Sequence, residues 1–208
     1  MSLALLDTSA SSTARPIHVL AAAELPSCLQ KQSKTTKAWI EASGFAAGYG
    51  TSLAVPAANG EIDFVILGAG SDRDWKRHRF LAGRCAHGLP QGAYALAEAC
   101  GPETAENFAL GWALGGYGFN RYKSTKTPKA RLVLPKEVSQ TKIEALANGE
   151  FLTRDLINTP ASDMSPADLE QAVRALADRF DAVVSVTKGD ELLSENFPMI
   201  HTVGRASA

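Results

Sequence analysis

Two short apolar runs on either side of Asn59-Gly60 constrain the fold of this 208-residue chain more than any other feature. Residues 52–56 and 63–68 have the length and composition of strands. Asn-Gly favours the tight turns of β-hairpins, so two strands joined in this way must be antiparallel. Elsewhere, apolar runs alternate with helical patterns, which is typical of an α/β layer fold. The sequence therefore predicts a mixed sheet flanked by helices.

The remaining elements of this layered pattern fall within the first 135 residues. Further strands are predicted at 17–20, 94–96 and 131–135, and helices at 38–42, 75–85 and 102–116. Pro102 suits a first helical turn, and Glu103 and Glu106 lie near the positive end of that helix dipole. Residues 1–135 are accordingly predicted to form one N-terminal α/β domain.

A long helical pattern follows, and it predicts a linking helix within residues 136–160. The pattern runs from Glu137 to about Ile157. The pattern carries a mostly apolar stripe, because residues spaced three or four positions apart share one side of a helix. The stripe consists of Ile143, Leu146, Ala147, Glu150 and Phe151. Pro160 disfavours helical geometry at Thr159, so we expect the helix to end there.

Residues 161–208 predict the start of a second α/β domain. Ser165 and Asp168 have the spacing of a capping box, which places a helix N-terminus at this point. A strand is expected at 182–186, after which residues 188–193 open another helix. One strand and two helices cannot bury a core of their own. We therefore expect this second domain to be incomplete.

Composition argues against several classes of function. The 21 basic and 22 acidic side chains give a net charge of -1 and a pI near 6.4. There is thus no global attraction to nucleic acid or to an anionic membrane. No apolar run approaches the roughly 20 residues of a membrane span, and Met1 to Ala14 lacks the pattern of a signal peptide. The expected location is the cytoplasm.

One local basic run leaves a nucleic-acid partner open as an alternative. It contains five cations with an aromatic residue, Tyr122, among them: Arg121, Lys123, Lys126, Lys129 and Arg131. Such a run can attract phosphates. Lysine-rich loops are more commonly solvated linkers, so we expect no nucleic-acid partner.

No cluster in the sequence has the spacing of a metal or phosphate site. The cysteines Cys28, Cys85 and Cys100 are odd in number and widely spaced, which indicates free thiols. The histidines show neither HExxH nor paired spacing: His18, His78, His87 and His201. Residues 68–73 follow a predicted strand but lack the third glycine of a dinucleotide fingerprint and a Walker lysine, so we expect an ordinary turn.

Three segments, in order, resemble the leucyl (cytosol) aminopeptidase family. They are residues 111–123, 153–166 and 196–207, and the match spans roughly residues 75 to 208. The second segment resembles the start of the family's catalytic domain, although Ser162 stands where many members have Asn. The resemblance gives a structural role to five motif residues: Arg154, Asp155, Asn158, Pro160 and Gly204. Asp155 is expected either to pair across a domain or subunit boundary or to lie in solvent.

The resemblance implies a small N-terminal domain, similar in fold to macro domains, and a larger C-terminal catalytic domain. In this family two divalent metals, zinc or manganese, are held by Lys, Asp and Glu residues and activate water to remove N-terminal residues from peptides. The family's Gly-Lys-Gly, Phe-Asp-Thr-Gly-Gly and Asn-Thr-Asp-Ala-Glu-Gly segments are absent from these 208 residues. We therefore assign no catalytic or metal-binding residue and no bound cofactor to the chain, and expect it to be inactive by itself.

The parent enzyme implied by the resemblance would act on peptides and assemble as a hexamer. The alternative is a standalone macro-like binding or assembly module, without hydrolytic activity, for a nucleotide, ADP-ribose or a protein. That alternative depends on analogy of fold alone. A reading frame that continues into the glycine-rich metal segments would favour the enzyme.

Overall fold

The computed structural model describes residues 6–7, 13–71, 73–74, 80–126 and 128–205. They belong to two compact units, residues 1–155 and residues 156–208. The part of the predicted helix 75–85 that lies at 75–79, including His78, falls outside the described residues. Within the predicted range 75–85, the helix with described bounds begins at Ala82 and continues to Gly88.

The first unit is built on a mixed six-stranded sheet with the order β1-β6-β5-β2-β4-β3. Its strands are β1 (Leu6–Asp7), β2 (Arg15–Ala21), β3 (Ser52–Pro56), β4 (Ile62–Gly70), β5 (Gly92–Leu96) and β6 (Ala130–Val133). β3 pairs antiparallel with β4, and the other four pairings are parallel. The predicted α/β fold with a mixed sheet is therefore confirmed.

The helices of the described residues that accompany the sheet include α1 (Leu25–Gln30), α2 (Lys34–Ala42), α3 (Ala82–Gly88), α4 (Pro102–Gly115) and α5 (Gln140–Asn158). Neighbouring residues on a strand point to opposite faces, and β2 and β4 show this clearly. Ile17 opposes Val65, and both join the larger core cluster with residues of α3, α4 and α5. His18 opposes Ile66, which belongs to a smaller cluster that includes Ile40 of α2.

Glycines allow α3 and α4 to approach each other closely. A Cβ atom built on Gly83 would lie 2.9 Å from the carbonyl oxygen of Gly111, and one built on Gly115 would overlap the carbonyl oxygen of Gly83. The backbones of the two helices therefore touch without side chains between them. Trp112, on the same helix as Gly111 and Gly115, is completely buried in the larger cluster.

The linking helix α5 starts three residues later than predicted and ends where Pro160 predicts. Its start is delayed because the N–H of Val138 closes a turn on the carbonyl of Pro135. Ile143 and Ala147 are buried as expected. Leu146, which belongs to the same predicted stripe, is 49% exposed, so the stripe is buried only in part.

After the end of α5, the described residues of the second unit form a short 3-10 turn at Ala161–Asp163 and the helices α6 (Pro166–Arg179), α7 (Glu191–Ser194) and α8 (Pro198–Gly204). The predicted capping box opens α6. The Ser165 hydroxyl accepts from the Asp168 N–H at 3.3 Å, and the Asp168 carboxylate accepts from the Ser165 N–H at 2.8 Å. Residues 182–186, predicted as a strand, form no strand. The described part of the chain offers this segment no partner strand, and a strand needs one.

Most apolar side chains of the second unit are exposed. Among its described residues only Thr159 and Ala177 are buried. The exposed large apolar residues are Ile157, Leu169, Val173, Leu176, Phe180, Val183, Leu193, Phe197, Met199, Ile200 and Val203. The unit thus buries almost no core of its own. None of the described helices combines the length and the hydropathy that crossing a membrane requires.

Candidate functional site

Tyr117 connects the two charged residues of the family motif on α5. Its hydroxyl donates to Oδ1 of Asp155 at 2.9 Å, and the Arg154 guanidinium lies 5.3 Å from the centre of its ring. Arg154 also donates through Nε to Glu150 Oε1 at 2.9 Å. Asp155 therefore has a partner inside its own unit, which the sequence did not indicate. Through these contacts, Tyr117, which follows α4, packs against the linking helix.

The other motif residues shape chain turns in the second unit. Asn158 is the last residue of α5, and the carbonyl of Pro160 accepts from the Asp163 N–H at 2.8 Å in the 3-10 turn that includes Ser162. Gly204 ends α8, and a Cβ atom built there would meet no other atom within 4 Å. The space around Gly204 therefore does not require glycine.

The described residues do not fit a two-metal centre. They include no group of three or more His, Cys, Asp or Glu side chains placed to hold a metal ion. His201 Nε2 lies 3.3 Å from Asp190 Oδ1, and His87 is exposed. These histidines therefore provide at most isolated pairs.

The glycines that follow the apolar run of β4 are part of the strand and their amides are already bonded. The Gly68 N–H donates to the Thr51 carbonyl at 2.8 Å, and the Gly70 N–H donates to the Ala47 carbonyl at 3.0 Å. With these amides occupied, this segment does not present the free N–H groups that a phosphate needs. Gly68 to Gly70 form the end of β4, an interior strand, so the turn expected at 68–73 is in part the end of this strand.

The basic run forms an exposed loop with internal order. Asn120 Oδ1 accepts from the Thr125 N–H at 2.7 Å and shapes the turn, while the Arg121 guanidinium lies 5.7 Å from the ring centre of Tyr122. Tyr122 is 55% exposed. No contact among the described residues of this loop favours bases over solvent, and the nucleic-acid alternative stays a hypothesis.

All three cysteines are free thiols, as predicted. Cys85 is completely buried, and burial raises the pKa of its thiol to about 12. Burial also raises the pKa of Cys100. Since the thiolate is the reactive form, neither thiol is prepared for nucleophilic chemistry.

A cavity of about 540 Å³ lies against the sheet beside α1. Its lining residues come from β2, β4, α1 and the segment after β5: His18, Val19, Leu20, Glu24, Ser27, Cys28, Lys31, Gln32, Phe64, Ile66 and Glu98. His18 Nδ1 lies 2.6 Å from Glu98 Oε1, and the His18 ring meets the Phe64 ring edge to face at 5.3 Å. The sequence analysis missed Glu98, although its place just beyond a parallel strand is a signal for ligand sites in α/β sheets.

Two family profiles match the chain. The profile for the M17 aminopeptidase N-terminal domain matches residues 15–135, and the profile for the cytosol aminopeptidase family catalytic domain matches residues 151–208. A probable cytosol aminopeptidase from Leifsonia xyli subsp. xyli is 28% identical over 182 residues. That alignment covers 81% of this chain and 36% of the relative.

Solved structures agree in fold. The cytosol aminopeptidase from Coxiella burnetii superposes with a TM-score of 0.81 at 33% identity, over 92% of this chain and 41% of that one. The bottromycin maturation enzyme BotP in complex with Mn gives a TM-score of 0.64 at 21% identity, over 88% of this chain and 40% of that one. The 208 residues thus span about two fifths of the proteins they match.

Proposed function

This chain belongs to the M17 cytosol aminopeptidase family, and from that premise we propose that the complete protein removes N-terminal residues from peptides with the aid of two divalent metal ions. The observation that carries the proposal is the pair of family matches, which cover the N-terminal domain and the beginning of the catalytic domain in their expected order. The fold likeness to the Coxiella burnetii enzyme supports it.

We further propose that the metal chemistry belongs to parts of the catalytic domain that these 208 residues do not provide. Paired metals activate water and polarise the substrate carbonyl in such sites. The donor groups of the described residues do not fit that role, so no step is assigned to them. Zinc or manganese is the proposed metal, and the manganese complex of BotP, which is similar in fold, is in line with the latter.

The motif residues and the domain division complete the proposal. Arg154 and Asp155 are positioning residues that fix the linking helix through Tyr117, and Asn158 and Pro160 set the turn into the catalytic domain. Gly204 is proposed as structural from the motif alone. The N-terminal domain is placed at 1–135, the linking helix at 136–160 and the beginning of the catalytic domain at 161–208, in a cytoplasmic hexamer.

A chimera tests this function directly. Residues 1–208 are joined to the remaining catalytic domain of the Coxiella burnetii enzyme, the structure of which aligns with 92% of this chain. Release of leucine from leucinamide is measured with added manganese or zinc and after chelation. We expect metal-dependent release by the chimera. A chimera that folds cooperatively, judged by circular dichroism and thermal unfolding, but releases no leucine in either metal would contradict the proposal.

A binding role for the first unit is the second candidate, and the cavity beside β2 favours it. The cavity volume falls within the range of about 300–1,000 Å³ found for small-molecule sites. Such a role does not compete with hydrolysis, since a ligand site on the N-terminal domain can accompany a catalytic site elsewhere. The charges that line the cavity disfavour a nucleotide, because they include no excess of positive groups.

A further inference from the structure

The cavity beside β2 lies where the strand order of the sheet changes direction. The chain places β4 on one side of β2 and then crosses to the other side, where β5 and β6 follow. β2 therefore lies between β4 and β5 and pairs with both. Ligands of open α/β sheets bind at such switch points, outside the carboxyl ends of the strands. Glu98 follows the carboxyl end of β5, and His18 to Leu20 form the carboxyl half of β2. Phe64 and Ile66 belong to the first half of β4, so the cavity lies over the face of the sheet beside this switch point.

Glu98 lies at the mouth of the cavity, with its side chain 64% exposed and one carboxylate oxygen engaged. Its Oε1 lies 2.6 Å from His18 Nδ1, and the His18 ring is itself packed edge to face against Phe64. Its Oε2 has no hydrogen-bond partner within the described chain. Glu98 also lines two smaller cavities of about 240 and 250 Å³ that adjoin this edge of the sheet. The carboxylate is therefore held in place by His18, and its Oε2 can accept a hydrogen bond from a cationic group.

The wall of the cavity around α1 contains one lysine, Lys31, which directly follows the helix. Glu24 Oε2 accepts from the Ala21 N–H at 2.9 Å, and the Ser27 hydroxyl donates to the Glu24 carbonyl at 2.8 Å. The ammonium of Lys31 makes no hydrogen bond or ion pair with any residue that the structure describes. Lys31 lines the same cavity as Glu98, so an anionic group and a cationic group of a ligand would each find a complementary partner.

The balance of charge in the cavity decides between ligand classes. Two carboxylates, Glu24 and Glu98, line the cavity with one lysine, Lys31, and one histidine, His18. A nucleoside diphosphate would therefore bring two negative phosphates to a site with no excess of positive groups. A zwitterion has one ammonium and one carboxylate and matches Glu98 and Lys31. Leu20 and Phe64, both half-buried, provide apolar surface between these charges.

We propose that this cavity binds a short zwitterionic peptide with apolar side chains, its ammonium on Glu98 and its carboxylate on Lys31. The volume of about 540 Å³ favours a dipeptide over a free amino acid, because such cavities suit ligands larger than one residue. This inference rests on the proposed function in one respect, which is the origin of the peptide: an aminopeptidase acts on peptides and would meet them. Binding itself is a property of the first unit and needs no turnover.

Isothermal titration calorimetry on the 208-residue chain with leucyl-leucine tests the proposal. We expect saturable binding that weakens about tenfold when the ligand is N-acetylated and about tenfold when its carboxylate is an amide, because each change removes one charge-assisted contact. ADP-ribose is titrated in parallel. No saturable heat with leucyl-leucine, or tighter binding of ADP-ribose, would overturn the assignment.

Matched variants locate the site. Glu98→Gln and Lys31→Gln should each weaken leucyl-leucine binding about tenfold. Glu103→Gln and Lys34→Gln, which make the same chemical changes at exposed positions outside the cavity, should leave it unchanged. If all four variants bind leucyl-leucine equally weakly, the peptide binds outside this cavity and the assignment is wrong. Failure of binding would leave the leucinamide assay of the chimera unaffected, so the two proposals fail independently.

Discussion

Alanine at Gly115 should destabilise the first unit although it suits a helix better than glycine. Gly115 is the last residue of α4, where alanine gains at most about 1 kcal/mol of helix propensity. Its Cβ would overlap the Gly83 carbonyl oxygen and lie 2.8 Å from the Gly83 Cα, both backbone atoms of α3. Overpacking of this kind costs about 1–3 kcal/mol. We therefore expect Gly115→Ala to lower the free energy of unfolding by about 1–2 kcal/mol.

Gly149→Ala is the matched control. Gly149 lies within α5, and a Cβ atom there meets nothing within 4 Å. The same substitution should raise the free energy of unfolding by about 0.5–1 kcal/mol. Urea unfolding followed by tryptophan fluorescence reports on the correct unit, because Trp39 and Trp112 lie in it and residues 156–208 contain no tryptophan. If Gly115→Ala proves as stabilising as Gly149→Ala, the close contact between α3 and α4 is refuted.

Three further predictions concern the motif, the capping box and the buried thiol. Tyr117→Phe removes the O–H that Asp155 accepts and should cost about 1 kcal/mol in the same urea assay; an unchanged midpoint would mean that the bond adds no stability. Ser165→Ala removes the cap of α6 at a cost of about 1 kcal/mol, and the Asp168 amide should then exchange its hydrogen faster; equal protection would contradict the cap. The native Cys85 thiol, with its pKa near 12, should resist maleimide at pH 8 and react once urea unfolds the chain; rapid native labelling would disprove its burial.

Local signals in the sequence were sufficient for much of the fold. Asn59-Gly60 predicted an antiparallel pair because a short loop leaves two strands no other arrangement, and β3 and β4 are paired in this way. Ser165 and Asp168 predicted the start of α6 because a capping box requires only residues three positions apart. Both signals operate within a few residues, where propensity and hydrogen bonding decide the structure.

Features that depend on distant residues were missed or wrong. Residues 182–186 have strand composition, yet a strand needs a partner that no local pattern reveals. The pairing of His18 with Glu98 joins residues 80 positions apart. Leu146 matches the apolar stripe of α5, but nothing in the described structure covers it, and it remains 49% exposed. The candidate cavity therefore became visible only once the sheet had brought β2, β4 and β5 together.

We propose that these 208 residues carry the family's N-terminal domain and motif, and that its metal chemistry lies in other parts of the complete protein. Release of leucine from leucinamide by the purified chain, with added manganese or zinc and with metal-free protein as the control, tests it most directly. We predict no turnover above the control. Metal-dependent turnover that co-purifies with the 22.0 kDa species would contradict the claim, because it would place a working metal site among residues assigned here to structure.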